Sequence, residues 1–408
     1  MAEKVRVVLI AIGGYGANYV RALLGPQGRE ACEVVGVVDP FAARSEFVGE
    51  LDRLGVPVYN EPKAFFEDRP ADLAVISSPI HLHCRHTCEA LTGGSHVLCE
   101  KPVSATVQEA RRMMQARDAA GRFVSIGYQW SFSEEIQALK RDILRGRFGK
   151  ARRLKCLCLS PRDDAYYGRN DWAGALRVPT GEWVLDSPIH NAVAHYLHNM
   201  LYVLGDTVDR SAVPADVTAE LYRVNPITNF DTGVARIHTA GGAEMLFYAS
   251  HAVPEEEGCR FVFEFERATV EWVGGCTPIR AVLMDGGEVK YPVDQSWGKM
   301  MTKLWHAVDS VRTGATPLCG LEAALAQTVC MNGMLDSAPA IVEFPARLRR
   351  VTGEPGHQVR WVQGLAEQLT ECYDNWTLPH EEGVAWAVEG KIVDLTDYRF
   401  FPGGSEPS

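Results

Sequence analysis

The residues from Ala11 to Gly16 have types and spacing that suit the binding of a phosphate group. The sequence Ala11-Ile12-Gly13-Gly14-Tyr15-Gly16 follows directly on an apolar run. It approaches the glycine pattern G-x-G-x-x-G, with Ala11 at the position of the first glycine. Gly13 lets the backbone approach a pyrophosphate, Gly16 lets the next helix pack closely on the strand, and the N–H groups at the start of that helix face the anion. The residues predicted to bind a dinucleotide here are Ile12, Gly13, Gly14, Tyr15 and Gly16.

An acidic residue, Asp39, stands 23 positions after Gly16, at the end of the second apolar run. In this context a carboxylate accepts hydrogen bonds from the adenosine ribose hydroxyls. Because the same carboxylate repels a 2′-phosphate, the sequence predicts NAD as the cofactor in preference to NADP, and Arg44 is the residue that keeps NADP open. The alternative is a glycine-rich turn in an α/β protein that binds no nucleotide.

The elements that must position these residues alternate between apolar and amphipathic segments. Continuous apolar runs, which predict strands buried on both faces, occur at 5–12, 34–38, 73–76, 97–99 and 123–126. Helices are predicted between them at 13–24, 41–54, 83–91 and 106–120. This alternation is typical of a doubly wound parallel sheet. Residues 1–127 are therefore predicted to form a Rossmann domain, and the fold class is α/β.

The remainder of the chain, residues 128–408, has a different pattern. Helices are predicted at 133–145, 187–204, 299–312 and 321–336, and strands at 153–159, 218–224, 233–239, 244–250, 260–266 and 269–273, with a hairpin at Gly286-Gly287. Such strand spacing with glycine turns predicts a large, mainly antiparallel sheet. We therefore expect a second, α+β domain for substrate binding and oligomerisation, and assign no element to the residues after about 340.

Length, charge and cysteine content narrow the classes of function. The 408 residues exceed one ordinary core, which predicts two domains. A formal net charge of -11, without a long block of Lys or Arg, argues against binding to nucleic acid or to an anionic membrane surface. No stretch approaches the ~18 apolar residues of a membrane span. The eleven cysteines are scattered, which predicts no disulfide framework and a reducing, cytoplasmic location.

Several motifs further along the chain together resemble one family. They are Ser78-Pro79-Ile80-His81-Leu82-His83, Glu100-Lys101-Pro102, Gly127-Tyr128-Gln129, Gly146-Arg147-Phe148-Gly149 and Asp186-Ser187-Pro188-Ile189-His190. In this combination the chain resembles the glucose–fructose oxidoreductase/inositol dehydrogenase family, Gfo/Idh/MocA, over the first domain and in part to about residue 340. The resemblance implies that Lys101, Asp186 and His190 form the catalytic set. It also implies cofactor contacts from Ser78, Pro79, His83, Glu100, Lys101 and Gln129.

The chemistry of these residue types agrees with the implied roles. Oxidation of an alcohol requires a proton acceptor on the hydroxyl while hydride leaves for the nicotinamide, and a neutral imidazole such as His190 suits this task near neutral pH. Ser187-Pro188 predicts an N-cap and proline at the first helical position, so the helix dipole would keep His190 neutral in the first turn. A cationic Lys101 would stabilise the alkoxide, and Asp186 would orient the lysine or a substrate hydroxyl.

Plainer explanations of the same three residues stay open. Asp186 is also a common type of helix cap, and His190 is then a structural residue of the first turn. Lys101 is alternatively a solvated lysine at the end of a strand.

The loop at 166–180 is polar and aromatic, and it leads into Glu182-Trp183-Val184-Leu185, where many relatives have glycines. We expect this loop to set the choice of substrate. The predicted substrate contacts are Lys101, Tyr128, Trp130, Asn170, Trp172, Asp186 and His190. A second set has the residue types of a metal site, namely His81, His83, Cys84, His86 and Cys88. No metal is expected there, because structural zinc sites draw on two separated ligand pairs.

Together these features predict an enzyme, an NAD(P)-dependent dehydrogenase that oxidises a secondary alcohol of a carbohydrate-like substrate: a sugar, polyol or glycoside. One alternative is a redox-neutral enzyme with retained NAD, in which transient oxidation permits epimerisation or glycoside cleavage. A second alternative is a non-catalytic NAD-binding sensor or partner protein. The resemblance also implies a homodimer or homotetramer, with the sheet of the second domain as its natural contact surface.

Overall fold

The computed structural model describes residues 3–405, which divide into two units. The first unit comprises the chain up to Ser104 together with Gln108–Ser133 and Ser296–Leu325, and the second comprises Ala105–Val107, Glu134–Gln295 and the chain from Ala326 onward. The sequence predicted a first domain that ends at residue 127. It did not predict that Ser296–Leu325 would also belong to the first unit. Apolar packing explains this return, because Met301 and Leu304 are fully buried in the same core as Val7 and Leu9.

The sheet of the first unit is parallel throughout. Its strands are β1 (Val5–Ile10), β2 (Cys32–Val38), β3 (Val58–Tyr59), β4 (Leu73–Ile76), β5 (His96–Cys99) and β6 (Val124–Ile126). The strand order β3-β2-β1-β4-β5-β6 is that of a dinucleotide-binding Rossmann fold, as the sequence predicted. The register pairs Ile10 with both Val38 and Ile76, and Ile76 with Cys99. Four strands therefore end at one edge, and the segments that follow them lie side by side.

The helices of the chain pack on these strands and on those of the second unit. They are α1 (Gly16–Leu24), α2 (Pro26–Ala31), α3 (Val48–Arg53), α4 (Pro62–Asp68), α5 (His83–Thr92), α6 (Val107–Ala120), α7 (Glu134–Leu144), α8 (Asp164–Gly168), α9 (Ala194–Val203), α10 (Trp297–Met300), α11 (Thr302–Thr313), α12 (Leu321–Ser337) and α13 (Leu365–Asn375). The predicted helix at 41–54 is instead a 3₁₀ turn, Ala42–Arg44, followed by α3. The predicted helix at 13–24 ends at Leu24 as expected, and Pro26 begins α2 as its first residue, a position that proline favours. No helix of residues 3–405 has the length and apolar character needed to cross a membrane.

The second unit is built on a mixed, mostly antiparallel sheet. Its strands are β7 (Ala151–Leu159), β8 (Pro214–Arg223), β9 (Thr232–Thr239), β10 (Glu244–Ser250), β11 (Gly258–Phe265), β12 (Ala268–Trp272), β13 (Ile279–Leu283), β14 (Glu288–Tyr291), β15 (Val342–Glu343) and β18 (Val393–Asp394). The predicted hairpin at Gly286-Gly287 is confirmed between β13 and β14. Two pairs are parallel, β7 with β10 and β15 with β8. Two further strands, β16 (Arg349–Thr352) and β17 (Val359–Val362), form a separate ribbon.

The C-terminal segment, which the sequence left unassigned, covers one face of this sheet. Leu365 and Leu369 of α13 are fully buried in one apolar cluster with Leu157 of β7 and Leu246 and Tyr248 of β10. A side chain on the sheet also bonds to this segment, since the Tyr248 hydroxyl donates to the Thr377 carbonyl at 2.8 Å. This face of the expected oligomer surface is therefore occupied by residues of the same chain.

The sequence predicted no disulfide framework, and among the described residues one cysteine pair is joined. Cys158 of β7 and Cys259 of β11 face each other in the antiparallel register and are joined as a disulfide, with their Cα atoms 4.1 Å apart. The two residues lie 101 positions apart. Their pairing depends on the register of two strands, which the spacing of cysteines along the sequence does not reveal.

Candidate active site

The turn after β1 has the backbone that the glycine pattern requires. Ala11, which replaces the usual first glycine, has a left-handed φ of 64°, and Gly14 has a φ of 53°. A Cβ on Gly16 would lie 2.4 Å from the carbonyl oxygen of Ala11, so the start of α1 can approach the turn only because this residue is glycine. Ala11 thus adopts the left-handed conformation that is usual for glycine, and the rest of the turn has the predicted geometry.

The side of the turn at Gly13 is open. A Cβ on Gly13 would meet no atom within 4 Å. Within residues 3–405 the N–H groups of Gly13 and Gly14 have no hydrogen-bond acceptor, whereas the N–H of Gly16 bonds to the carbonyl of Gly13 at 2.9 Å. Unpaired N–H groups beside an open concavity suit a pyrophosphate. The turn therefore fits the dinucleotide predicted from the sequence.

Asp39 follows β2 and is joined to this turn. Its Oδ2 accepts the N–H of Ile12 at 2.9 Å, and its Oδ1 accepts the N–H of Phe41 at 2.7 Å. The residue is 8% exposed, so the carboxylate is held in one place beside the glycine turn. Arg44, the residue that kept NADP open, stacks its guanidinium on the Phe41 ring at 4.7 Å from the centroid.

Two histidines hold the segments that follow β4 and β5. The His83 ring is 1% exposed, with Nδ1 2.7 Å from the Pro102 carbonyl oxygen and Nε2 2.9 Å from the Ser78 carbonyl oxygen. His86 Nδ1 lies 3.0 Å from Ser78 Oγ, and burial lowers the pKa of His86 to about 3. These contacts link the Ser78-Pro79 segment to the end of the Glu100-Lys101-Pro102 motif. Among the described residues no group of three or more His, Cys, Asp or Glu side chains is arranged to hold a metal ion.

The Glu100 carboxylate is the centre of a buried network. Its Oε1 accepts the Tyr19 hydroxyl at 2.5 Å and pairs with the Lys303 ammonium, and its Oε2 lies 3.2 Å from the N–H of Lys101. A Cβ on Gly127 would lie 2.8 Å from Oε1, so this glycine leaves room for the carboxylate. The Lys303 ammonium also lies 4.5 Å from the centroid of the Tyr15 ring. Glu100 is thus fixed by its own unit, between the glycine turn and Lys101.

The remaining residues predicted for the first unit follow the ends of β5 and β6. Lys101 is half-buried directly after Glu100, and Tyr128 is fully buried. Gln129 and Trp130 are half-buried in a 3₁₀ turn, Gln129–Phe132. The structure thus brings the predicted cofactor residues of this unit to the carboxyl edge of one parallel sheet, which is where open α/β sheets bind ligands.

In the second unit, Asp186, Ser187 and His190 lie within one short segment. The Ser187 hydroxyl accepts the N–H of His190 at 3.1 Å, which is the predicted cap. The predicted helix 187–204 is interrupted at Val193, because Pro188–Ala192 forms a single π-type turn and α9 (Ala194–Val203) follows it. His190 is fully buried in that turn, so the argument from the dipole of a long helix does not apply to it.

The Asp186 carboxylate binds the chain on both oxygens. Oδ1 accepts the side-chain amide of Asn191 at 2.7 Å, and Oδ2 accepts the N–H of Gly174 at 2.7 Å. The Asn229 side chain donates to the Asp186 carbonyl at 2.9 Å. The residue is 2% exposed. Asp186 therefore anchors the loop that the sequence predicted to choose the substrate.

That loop begins with α8 and turns at Asn170. The Asn170 Oδ1 accepts the N–H groups of Trp172 at 3.1 Å and Ala173 at 2.8 Å, so its side chain shapes the turn. Trp172 is half-buried beside Arg169, whose guanidinium lies 5.3 Å from the indole centroid. The predicted loop residues are thus held together by contacts within the loop and by Asp186.

Several residues of these networks were not identified from the sequence: Lys303, Asn191, Asn229 and Arg169. Asn191 lies next to the Asp-x-x-x-His segment, so its position was a usable signal. Arg169 belongs to the loop at 166–180, whereas Lys303 and Asn229 come from distant segments, and a lone lysine or asparagine carries no motif.

Comparison with known proteins gives a family match within the first unit and relatives that cover different shares of the chain. Residues 5–128 match the family model GFO_IDH_MocA, an oxidoreductase family with an NAD-binding Rossmann fold. Inositol 2-dehydrogenase 1 of Saccharopolyspora erythraea is 31% identical over 195 residues, 47% of this chain and 57% of that protein. Inositol 2-dehydrogenase of Pseudomonas fluorescens is 29% identical over 357 residues, 83% of this chain and 97% of that protein. For the first three curated relatives, the match spans 47% to 63% of their length.

A solved structure extends the likeness to both units. The WlbA dehydrogenase of Bordetella pertussis, determined in complex with NADH and UDP-GlcNAcA, has a TM-score of 0.66 at 22% identity, covering 82% of this chain and 97% of that one. At this identity the likeness shows a shared fold. The family match, the strand order and the glycine turn agree with one another, and residues 5–128 match the Gfo/Idh/MocA oxidoreductase family.

Proposed function

We propose that this protein is an NAD-dependent dehydrogenase that oxidises a secondary alcohol of a sugar, polyol or glycoside. One observation carries the proposal: the open glycine turn, Asp39 and the Glu100–Lys101 segment follow strands that end in register at one sheet edge. Two relatives are named inositol 2-dehydrogenases, which is consistent with a polyol or sugar substrate.

The bound nicotinamide would supply the hydride acceptor, and the residues of the chain would supply the rest of the chemistry. The Lys101 ammonium stabilises the negative charge that develops on the reacting oxygen. The imidazole of His190 accepts the hydroxyl proton. In this proposal the network around Glu100 holds Lys101 in place, since its carboxylate binds the Lys101 N–H.

Asp186 is proposed as a positioning residue. Its two carboxylate oxygens accept bonds from Asn191 and Gly174, so it holds the loop at Gly174 close to the turn that carries His190. A carboxylate engaged in this way orients its neighbours and does not itself take the hydroxyl proton.

The preference for NAD rests on Asp39. Its carboxylate is fixed beside the glycine turn, where a 2′-phosphate would be repelled. Arg44 is stacked on Phe41, and the proposal gives it no contact with the adenosine ribose.

The test is to incubate the purified protein with NAD or NADP and a panel of sugars, polyols and glycosides, and to follow the absorbance of the reduced cofactor. Turnover with NAD that is abolished in Lys101→Ala and His190→Ala supports the proposal. Products formed without reduced cofactor would instead indicate the redox-neutral enzyme. NAD binding without any product would indicate the non-catalytic binding protein.

The oligomeric state is measured in the same preparation by light scattering, and we expect a dimer or a tetramer. The contacts between its subunits must avoid the sheet face that α13 covers.

A further inference from the structure

Five residues of the second unit form what we term the arginine–tyrosine cluster: Arg162, Tyr166, Tyr167, Arg169 and His251. They follow β7 and β10, which are parallel neighbours with Leu159 paired to Ser250, so their segments leave the sheet side by side. The Arg169 guanidinium carbon lies 3.7 Å from the centroid of the Tyr166 ring, and that of Arg162 lies 5.2 Å from the same centroid. Two positive charges are thus held at one aromatic ring.

The acidic neighbours neutralise these charges only loosely. Asp186 Oδ2 is 3.7 Å from Arg169 Nη2, and Glu256 Oε2 is 4.0 Å from Arg162 Nη1. Both distances are longer than the length of a hydrogen bond. The same two oxygens accept closer donors, namely the Gly174 N–H and the Ser160 hydroxyl. Each carboxylate therefore offsets a charge without occupying the guanidinium donors.

Most donors of the two arginines remain available. Arg162 donates through Nη1 to Ser160 Oγ and the Pro161 carbonyl, and Arg169 donates through Nη1 to the Tyr166 carbonyl. Arg169 also bonds to the Tyr166 hydroxyl, whereas among residues 3–405 Nε and Nη2 of Arg162 have no acceptor at hydrogen-bond distance. A guanidinium has five N–H donors in a fork that matches a carboxylate. The Nε–Nη2 fork of Arg162 is therefore unfilled, and Arg169 keeps further N–H donors beyond its two bonds to Tyr166.

His251 adds a buried group to the cluster. The residue is 2% exposed, its Nδ1 lies 3.2 Å from the Tyr167 hydroxyl, and its Nε2 has no partner among the described residues. The Tyr166 ring packs edge-on against the imidazole at 5.6 Å. Burial lowers the pKa of His251, and both arginines lower it further, so the ring is neutral at pH 7. When the Tyr167 hydroxyl donates to Nδ1, Nε2 carries a proton that it can donate.

We propose that this cluster binds a carboxylate of the substrate, so that the protein acts on an acidic sugar or polyol, such as a uronate. Arg162 and Arg169 bind the carboxylate oxygens, the His251 Nε2–H donates a third bond, and Tyr166 and Trp172 face the apolar side of the sugar. The inference rests on the proposed dehydrogenase function and adds the substrate class. A monoanion fits better than a phosphate dianion, because Asp186 and Glu256 already lie within 4.0 Å of the guanidinium groups.

The test compares substrates that differ only in the charge of this group. The full chain is assayed with NAD on D-glucuronate, D-galacturonate, their methyl esters, the parent hexoses and glucose 6-phosphate. We expect kcat/KM for an acid to exceed that for its ester by about tenfold to a hundredfold, the contribution of hydrogen bonds to a charged group. Arg162→Met and Arg169→Met should each remove most of this ratio.

A matched control is Arg153→Met, because Arg153 also stacks on an aromatic ring, Trp376 at 4.0 Å, and also pairs with an acid, Glu264. This variant should keep the full acid-over-ester ratio. Equal rates for acids and esters, or equal losses on both in the arginine variants, would overturn the proposal. A preference for glucose 6-phosphate would assign the cluster to phosphate and overturn it as well.

A binding measurement separates this inference from the dehydrogenase proposal. Saturation-transfer NMR with NAD present reports whether each uronate binds, whether or not it reacts. Uronate binding that is lost in Arg169→Met, without reduced cofactor from any compound, would overturn the dehydrogenase proposal and retain the carboxylate site. Absence of uronate binding to a protein that binds NAD would overturn the carboxylate site.

Discussion

The Lys303 ammonium is paired with the Glu100 carboxylate inside the first unit, where the two side chains are 1% and 9% exposed. The pair joins residues 203 positions apart in the chain. It holds the carboxylate 3.2 Å from the N–H of Lys101, the predicted catalytic lysine. The helix α11, which contains Lys303, therefore stabilises the end of β5, where Lys101 is proposed to act.

Lys303→Met should destabilise the protein strongly. The substitution leaves a buried carboxylate without its counter-ion, which costs about 3–5 kcal/mol in the free energy of unfolding. The measurement is urea unfolding, and the double variant Lys303→Met/Glu100→Gln should recover part of the loss because it removes both charges. Lys63→Met is the control, since Lys63 and its partner Glu67 are both exposed, with side chains 80% and 68% accessible. Equal losses in the single and double variants would contradict the charge pair as the cause.

The same pair should make stability depend on acid pH. Burial raises the pKa of Glu100, but the charge of Lys303 and hydrogen bonds from Lys303 and Tyr19 outweigh this effect, so the pKa lies below its ordinary value. A carboxyl with a lowered pKa stabilises the fold above its unfolded-state pKa, and this contribution is lost as pH falls through the folded-state pKa. The midpoint of thermal unfolding should therefore fall as pH drops below ~4.3. Lys303→Met should fall less over this interval, and parallel curves for the two proteins would refute the assignment.

Gly13→Ala should separate cofactor binding from stability. Its Cβ would meet no atom of the protein within 4 Å, so the free energy of unfolding should change by less than ~0.5 kcal/mol. The methyl group would occupy the space predicted for the pyrophosphate, and affinity for NADH should fall by about tenfold or more. Titration calorimetry and urea unfolding give the two values. Gly49→Ala, also in open space, is the control that should leave affinity unchanged. Unchanged NADH affinity in Gly13→Ala would place the pyrophosphate elsewhere.

Asp186→Asn should loosen the loop at Gly174. An amide cannot accept both the Asn191 side chain and the Gly174 N–H on its two atoms, so one buried donor is left unpaired at a cost of about 1–3 kcal/mol. We expect faster hydrogen exchange at the Gly174 amide and slower turnover. Asp171→Asn makes the same change at an exposed position of the same loop and should alter neither. Normal exchange at Gly174 in Asp186→Asn would remove the positioning role.

Leu369→Ala should show whether the C-terminal segment belongs to the core. Leu369 is fully buried in one cluster with Leu157 and Tyr248, so the cavity should cost about 2–5 kcal/mol of unfolding free energy. Leu54→Ala is the matched control, because Leu54 is 50% exposed. Both variants are measured by urea unfolding. A loss no larger than that of the control would mean that α13 packs on the sheet without stabilising it.

Local sequence patterns were enough to predict the parallel sheet, the glycine turn and the residues at the sheet edge. Buried parallel strands appear as continuous apolar runs, and the residues directly after such strands must meet at one edge because the strands end in register. Ala11, Asp39 and Lys101 could therefore be placed from local pattern alone. Local pattern failed at His190, where the cap was predicted correctly but the continuous helix was not, because the chain forms a π-type turn before α9.

The distant residues that surround those positions are brought there by long-range packing. Lys303 reaches Glu100 across 203 residues, and Cys158 reaches Cys259 across 101. His251 reaches Tyr167 across 84 residues. Each contact depends on strand register or on a helix that packs back onto a core, and no periodicity or spacing along the chain encodes it. The sheet edge that fits a dinucleotide can thus be predicted from local sequence. The charged residues around the proposed substrate site come together through long-range packing.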